Sequence, residues 1–498
     1  MNWSFWLPLV VLAISLLTAL GIFVIPEQRS AWRTGVNLAG AVIKLVLVMV
    51  MVWGVFQGIA YEFRVPMGLG VDFTLKADEL SVMFAGLSAL LWFWTTVYAI
   101  GYLEGSAHRA RFFGFFSLCV ASTFGIALAG NLYTFFIFYE MLTLSTYPLL
   151  VHKGTAQALA AGRRYLIYTL LGGALLLAGI VWLHTLAGDL SFARGGNLGD
   201  TDLNPQALRW IFLLLITGLA VKAALVPFHG WLPGAMVAPA PVSALLHAVA
   251  VVKAGVFGIV RVIYDVFGIT FSQALGVLFP LSIAASVTII YGSLRALQQV
   301  DLKRRLAFST VSQVSYITLG TTLFGPLGTI GALVHLLHQG LMKITLFFCA
   351  GNFAETIGAK RIDQLNGAGA RMPLTSAAFT IGALGMMGAP PLAGFISKWY
   401  LGVGAIDAGM TWVLGVLVAS TLLNAAYFLP ILHRLWFRPA PAQWPREAFT
   451  QLPYETHLWL LMPPLFTAMT VILVGLLAGL PFSPLQWAYL VAAQEYVP

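Results

Sequence analysis

The chain has 498 residues, 59% of them hydrophobic and 9% charged, with a formal net charge of +9. Soluble globular chains carry roughly 25% charged residues, so a water-soluble fold is excluded. The positive balance does not indicate nucleic acid, because the basic residues are distributed over alternate loops, as in a multi-pass membrane chain.

Apolar runs of about 20 residues, the length that crosses a hydrocarbon core, recur from end to end. They predict an all-α integral membrane fold of about fourteen transmembrane helices, near 5–25, 35–57, 80–100, 112–129, 131–150, 163–187, 208–227, 241–264, 273–292, 306–324, 328–351, 374–401, 411–437 and 457–480. The first run has no Lys or Arg before it and no small-residue cleavage site, so it reads as a retained helix rather than a removed leader. Between spans 2 and 3, Tyr61 to Asp78 alternates enough for a short hairpin. Between spans 6 and 7, Gly188 to Gln206 is a polar loop.

The whole chain, 1–498, is read as one membrane domain holding two inverted five-helix repeats, 112–264 (spans 4–8) and 273–437 (spans 9–13). Spans 7 and 12 are broken by proline and glycine, at Pro227, Gly230 and Pro233 and at Gly388, Pro390, Pro391 and Gly394. Proline removes a backbone donor, and in lipid the freed groups are tolerated only where protein or a water-filled cavity satisfies them. Two such breaks five spans apart, each near a lysine (Lys222, Lys398), mark paired half-sites in inverted-repeat transporters.

Seventeen Lys and Arg follow spans 1, 3, 5, 9, 11 and 13, whereas the opposite loops hold only Arg64, Lys76, Arg194 and Arg209. The positive-inside rule then places the first set in the cytoplasm and both termini outside the inner (cytoplasmic) membrane. Cys119 and Cys349 lie within spans and read as packing residues, with neither a disulfide framework nor a cysteine metal site available.

Lys44, Lys222, Lys253, Arg261, Lys343 and Lys398 fall inside predicted spans, and Glu140 is the one acidic residue near mid-span. A charge at the bilayer centre costs roughly 2.5–3.5 kcal/mol on insertion scales. Desolvation disfavours the charged form of lysine and of carboxylate alike, so such groups can hold or release a proton at little cost near neutral pH. Histidine titrates nearest pH 7, and His247, His335 and His338 lie on the spans that carry Lys253 and Lys343. Glu140, Lys222, His247, Lys253, His335, His338, Lys343 and Lys398 are therefore the candidate proton-transfer residues.

Lys44 reads as a snorkelling side chain or a contact with a partner, and Arg261 as an interfacial anchor with Asp265 as partner. His229, in the break of span 7, either shapes the loop or joins the path. His335 and His338 share a helical face, but without a nearby carboxylate or cysteine no metal site is expected. Asn366 to Gly369 lacks the strand and lysine of a phosphate-binding loop and reads as a turn. No dinucleotide fingerprint, haem ligand set or iron-sulfur spacing is present, so no cofactor is expected in this chain.

These residues resemble the antiporter-like membrane subunits shared by Mrp-type cation/proton antiporters, the membrane arm of respiratory complex I and membrane-bound hydrogenases. The likeness covers roughly spans 4 to 13. It is carried by Phe138 to Pro148 (FYEMLTLSTYP), Val221 to Pro233 (VKAALVPFHGWLP), Ala238 to His247 leading to Lys253, Lys303 to Gln313 (KRRLAFSTVSQ) and Pro390 to Tyr400 (PPLAGFISKWY). The resemblance implies that Glu140 pairs with Lys222, that Lys253 is the central lysine and Lys398 the terminal ionisable residue, and that opening and closing the Glu140/Lys222 pair drives proton movement. The lysine in span 12 makes the MrpD-type component the nearest relative within the family. Met236 and Ala240 depart from the pattern, where polar residues are common.

The expected function is a proton-translocating or cation/proton-antiporting component of a hetero-oligomer, moving protons and possibly Na+ in company with other membrane subunits. The alternative is a proton channel that couples a redox enzyme or an inorganic-carbon uptake enzyme to the proton gradient. A non-conducting scaffold is disfavoured, because it would gain stability by replacing these lysines with leucine.

Overall fold

The computed structural model describes residues 3–68, 70–199, 201, 203–446 and 454–496. The chain begins with α1 (Trp3–Val24) and α2 (Ser30–Phe56), then the hairpin β1 (Tyr61–Pro66) and β2 (Asp72–Ala77), then α3 (Glu79–Tyr102) and α4 (Arg109–Ala127). Next come α5 (Leu132–Leu150), α6 (Ala156–Ala187), α7 (Pro205–Ala223), α8 (Trp231–Gly234), α9 (Ala240–Ala244), α10 (Val251–Arg261) and α11 (Ile269–Ala274). The last part comprises α12 (Leu278–Leu297), α13 (Leu302–Thr322), α14 (Pro326–Thr356), α15 (Ala368–Arg371), α16 (Pro373–Met387), α17 (Ala393–Asp407), α18 (Trp412–Phe437), α19 (Leu458–Leu476) and α20 (Pro484–Glu495).

By length and composition, 11 helical segments among the described residues can cross a membrane. The chain is a multi-pass membrane protein. The other predicted spans fall on α5, on the hydroxyl-rich α13, and on α16 with α17. The hairpin forms where the alternation placed it, as an antiparallel pair with Tyr61 opposite Ala77 and Pro66 opposite Asp72.

Burial arranges these helices in shells. Segment Ala240–Val266 and α14 are wholly enclosed, whereas α2, α6 and α18 bury only 39, 39 and 33% of their most apolar windows. Leu171 on α6 and Leu422 on α18 are 64 and 66% exposed, a disposition that suits lipid or a partner rather than water. The polar, lysine-bearing helices are thus at the centre and the apolar ones outside.

Both expected breaks are present. Helix α7 stops at Ala223, whose successor Ala224 adopts a left-handed conformation (φ 58°), and short turns lead to Val237. Helix α16 ends at Met387 and Gly388 (φ 88°), and α17 restarts at Ala393. Freed backbone groups find partners in neighbouring protein, as lipid requires. The Trp231 indole donates to the Val221 carbonyl at 2.7 Å, and the Val226 N–H donates to the Thr288 hydroxyl at 3.0 Å. At the second break Asn424 donates to the Met386 carbonyl at 3.3 Å. A third interruption was not expected: span 8 has π-helical turns at Leu245–Val249 and Val262–Val266, on either side of α10.

One hydrogen-bond pattern occurs twice. Leu132 N–H donates to the Leu190 carbonyl and Phe192 N–H to the Gly130 carbonyl, at 3.1 and 2.9 Å; Leu302 and Ile362 make the same pair of bonds to Lys360 and Val300, both at 3.0 Å. Every residue of the second set lies 170 positions beyond its counterpart. In each case the helix that follows is capped by a side chain accepting from the third residue on, Asn131 for α5 and Asp301 for α13.

Candidate functional site

Lys222 occupies the last turn of α7, directly before the break, and is fully buried. Its ammonium donates to the Tyr139 carbonyl and lies 3.3 Å from the centre of the Tyr139 ring. The Tyr139 hydroxyl in turn donates to the Gly218 carbonyl at 3.0 Å, fixing α5 against α7. Glu140, the next residue on α5, is half-buried, faces Gly173 of α6, and has one carboxylate oxygen with no protein partner. The two expected partners are therefore in adjacent positions and feel each other's charge, yet they do not form an ion pair. The direct contact drawn from the sequence is corrected on this point: the carbonyl one residue earlier has taken the ammonium.

Helix α10 brings the next lysine to α14. Gly255 makes this possible, because a Cβ there would lie 2.7 Å from the Lys222 carbonyl carbon and collide with the Ala223 nitrogen. Two residues earlier, Lys253 is fully buried and donates to the Leu336 carbonyl of α14 at 2.5 Å. His335, adjacent on α14, shares a hydrogen bond with the Ser397 hydroxyl of α17 at 2.8 Å and lies within electrostatic range of Lys253, Lys398 and His338. Lys398 closes the row: it donates to the Met387 carbonyl at 2.8 Å and the Thr421 hydroxyl at 3.0 Å, and so satisfies the end of α16 across the break.

A branch leaves this row through α14. Lys343 donates to the Ser309 hydroxyl at 2.6 Å; Ser309 shares a hydrogen bond with the Tyr427 hydroxyl at 2.8 Å, and Tyr427 donates to Asn424. His247, in the first π-turn, packs its ring 4.5 Å from Phe347 and is within electrostatic range of Lys343 and Lys303. Lys303 was counted from the sequence as a loop charge. It is half-buried in the first turn of α13 and donates to the Ala238 carbonyl at 2.6 Å. Its place beside the Pro-rich entry to span 8 was not legible from a run of three basic residues.

Four buried lysines thus point at neutral oxygens, and none has a carboxylate within 4 Å. Among the described residues no two of the eight candidates hydrogen-bond each other directly. Gln313, Gln339, His247 and His338 line the gaps with side-chain atoms that have no protein partner.

A family model described as NADH:quinone oxidoreductase/Mrp antiporter, TM, matches residues 129–424, more than half of the chain. The chain belongs to that family. A second model, described as the N-terminus of complex I chain 5, matches residues 65–113 of this antiporter-like protein. It is similar to the N subunit of NADH-quinone oxidoreductase from Desulforudis audaxviator, 33% identical over 450 residues that cover 87% of each chain. It is also 30% identical over 437 residues to the A/B subunit of a probable K(+)/H(+) antiporter from Rhizobium meliloti, covering 86% of this chain but 43% of that one. Among solved structures, a chain of the Mrp complex from Dietzia sp. superposes with a TM-score of 0.88 at 26% identity, covering 100% of this chain and 98% of that one.

Two further charges of this antiporter-like protein are placed differently from expectation. Lys44 neither snorkels nor faces a partner: it is fully buried, its ammonium on the Ser15 hydroxyl and 3.8 Å from the centre of the Phe124 ring. The signal was a stripe at helical spacing, Arg33, Asn37, Lys44, Val48 and Met51, all buried on one face of α2. Arg261 does pair with Asp265 at 2.9 Å, but it is 1% exposed and also binds Asp78 at 2.8 Å, so it is an internal clamp rather than an interfacial anchor. His229 sits half-buried with its ring 4.9 Å from Tyr291. Cys119 and Cys349 are free and buried. Ala240 abuts Gly351 of α14, which explains a small residue there.

Proposed function

We propose that this chain is a proton-translocating component of a multi-subunit membrane complex, and that protons move along Glu140, Lys222, Lys253, His335, His338 and Lys398, with Lys343 and His247 on a branch. The observation that carries the reading is the set of buried lysines held only by carbonyls and hydroxyls. A permanent ammonium in such a place is costly, whereas a group that alternates between charged and neutral forms is served by neutral acceptors and a distant carboxylate. Water bridging the unpartnered Gln313, Gln339 and histidine atoms would complete the row, since buried polar groups are normally paired. The Glu140/Lys222 pair is in its open arrangement here.

The repeated hydrogen-bond pattern, shifted by 170 residues, supports fourteen spans with two inverted repeats, 112–264 and 273–437. The distribution of Lys and Arg supports an outer face carrying the hairpin and both termini, in a cytoplasmic membrane. Relatives named as antiporter and quinone oxidoreductase subunits, and the Mrp complex structure, support partnership with other membrane subunits. Lys398 and the near-complete superposition on a chain of the Mrp complex favour the MrpD type. Resemblance to a component of quinone oxidoreductase favours a second reading, proton conduction driven by a redox partner.

The test is proton flux in proteoliposomes containing the purified native complex. Lys253→Met should abolish flux while the complex remains assembled; wild-type flux would refute the row.

A further inference from the structure

The central row does not use the charged groups gathered at its outer end. A cavity of about 340 Å³ lies there between the ends of α3 and α10, the loop after α6, and α20. Nearly every charge in it is paired. Arg261 binds Asp78 at 2.8 Å, Asp265 at 2.9 Å and the Ser81 hydroxyl at 2.7 Å. Arg194 and the Gln494 amide both donate to Glu79, at 3.1 and 2.8 Å, and Lys76 reaches the Phe192 carbonyl at 3.4 Å. Glu495, at the end of α20, is the exception. It is 7% exposed, accepts one long bond from the Gly195 N–H at 3.4 Å, and has no cation within 4 Å among the described residues.

We propose that Glu495 is the outer proton port of the chain, a carboxyl that exchanges protons between the cavity and Asp265, on the segment that carries Lys253. This deepens the proposed proton path and rests on it for the inward direction. Asp265 lies 12 residues beyond Lys253, about 18 Å of helix. A hydroxyl route runs beside it. Tyr264 and Tyr496 each share a hydrogen bond with Thr329, at 2.7 and 2.8 Å, in the first turn of α14, six residues before His335. Helix α20 has 12 residues, too few to span a bilayer, so Glu495 is anchored at the surface. Burial pushes its carboxyl up to about 8, with Asp265 and Asp78 adding to the effect and the Gly195 N–H and Arg261 opposing it. The step is a bare proton transfer between carboxyl oxygens and water, with no bond to carbon and no electron moved.

The test is infrared titration and proton flux of the intact complex in proteoliposomes, wild type against Glu495→Gln and Glu495→Asp. Glutamine mimics the neutral carboxyl and preserves the docking of α20. The proposal predicts a protonated-carboxyl band that disappears around pH 8 in wild type and is missing in Glu495→Gln. It also predicts flux reduced by about a hundredfold in Glu495→Gln, at the low end of what a positioned proton carrier contributes, and substantially recovered in Glu495→Asp. A band that persists in Glu495→Gln, or a flux profile against external pH that superimposes on wild type, would overturn the port. Flux that survives Lys253→Met yet still depends on Glu495 would refute the central row and leave the port standing.

Discussion

At the level of single residues, the sequence located the costly charges but not what they touch. A lysine or glutamate inside an apolar run can be counted directly, and Lys222, Lys253, Lys343 and Lys398 are all buried as that count implied. Their acceptors are backbone carbonyls and hydroxyls from helices far away in the chain, so no spacing rule reaches them. Arg261 shows the opposite kind of site, a cation fully matched by Asp78 and Asp265. Removing one partner of a buried ion pair leaves the others uncompensated, at a cost of about 3–5 kcal/mol. Arg261→Ala should therefore lower the apparent Tm of the purified complex markedly, whereas Arg361→Ala, at an exposed pair with Asp363, should leave it unchanged. Burial alone would raise the Asp78 carboxyl, but Arg261 and the Ser81 N–H outweigh it and hold the group below the usual carboxylate range. A depressed carboxyl stabilises above its unfolded pKa and loses that contribution as pH falls through its folded pKa. The clamp should thus hold throughout the neutral range and weaken only in acid below about pH 4, which a pH series of thermal melts would show.

At the level of elements, proline and glycine announced the breaks of spans 7 and 12, while the π-turns of span 8 gave no such signal. Leu245–Val249 has no proline or glycine, and its π geometry is fixed by neighbours, with His247 against Phe347 of α14. The breaks depend on specific donors. Trp231→Phe removes the indole N–H from the Val221 carbonyl and leaves a buried acceptor unpaired beside Lys222, at a cost of roughly 1–3 kcal/mol, measurable as lowered thermal stability. Gly255→Ala acts differently: its methyl meets backbone atoms of Lys222 and Ala223, which cannot yield as a flexible side chain would. Helices α7 and α10 must separate, so flux should fall strongly in a chain that still inserts, with overpacking costing about 1–3 kcal/mol. Wild-type flux in this variant would show that close approach of the two lysine helices is unnecessary.

At the level of the whole molecule, composition alone established a multi-pass membrane chain, and the residue-level likeness to antiporter-like proteins was legible because its motifs surround the buried charges. The pairing of the two halves was not legible as sequence similarity. It emerges in the repeated backbone pattern, where Leu132 and Leu302, 170 residues apart, make the same bond; backbone hydrogen bonds conserve geometry without requiring particular side chains. Exposed apolar faces on α2, α6 and α18 leave room for neighbours, so small hydrophobic membrane subunits should accompany the tagged chain through mild-detergent purification, as mass analysis would reveal.

The measurement that bears most directly on the proposed path is proton flux through the reconstituted native complex carrying Glu140→Ala or Lys222→Ala, with insertion and assembly verified in the same preparation. The open carboxylate–lysine pair at the head of the row predicts that each substitution abolishes coupled flux in a fully assembled complex. Normal flux in both would contradict the path.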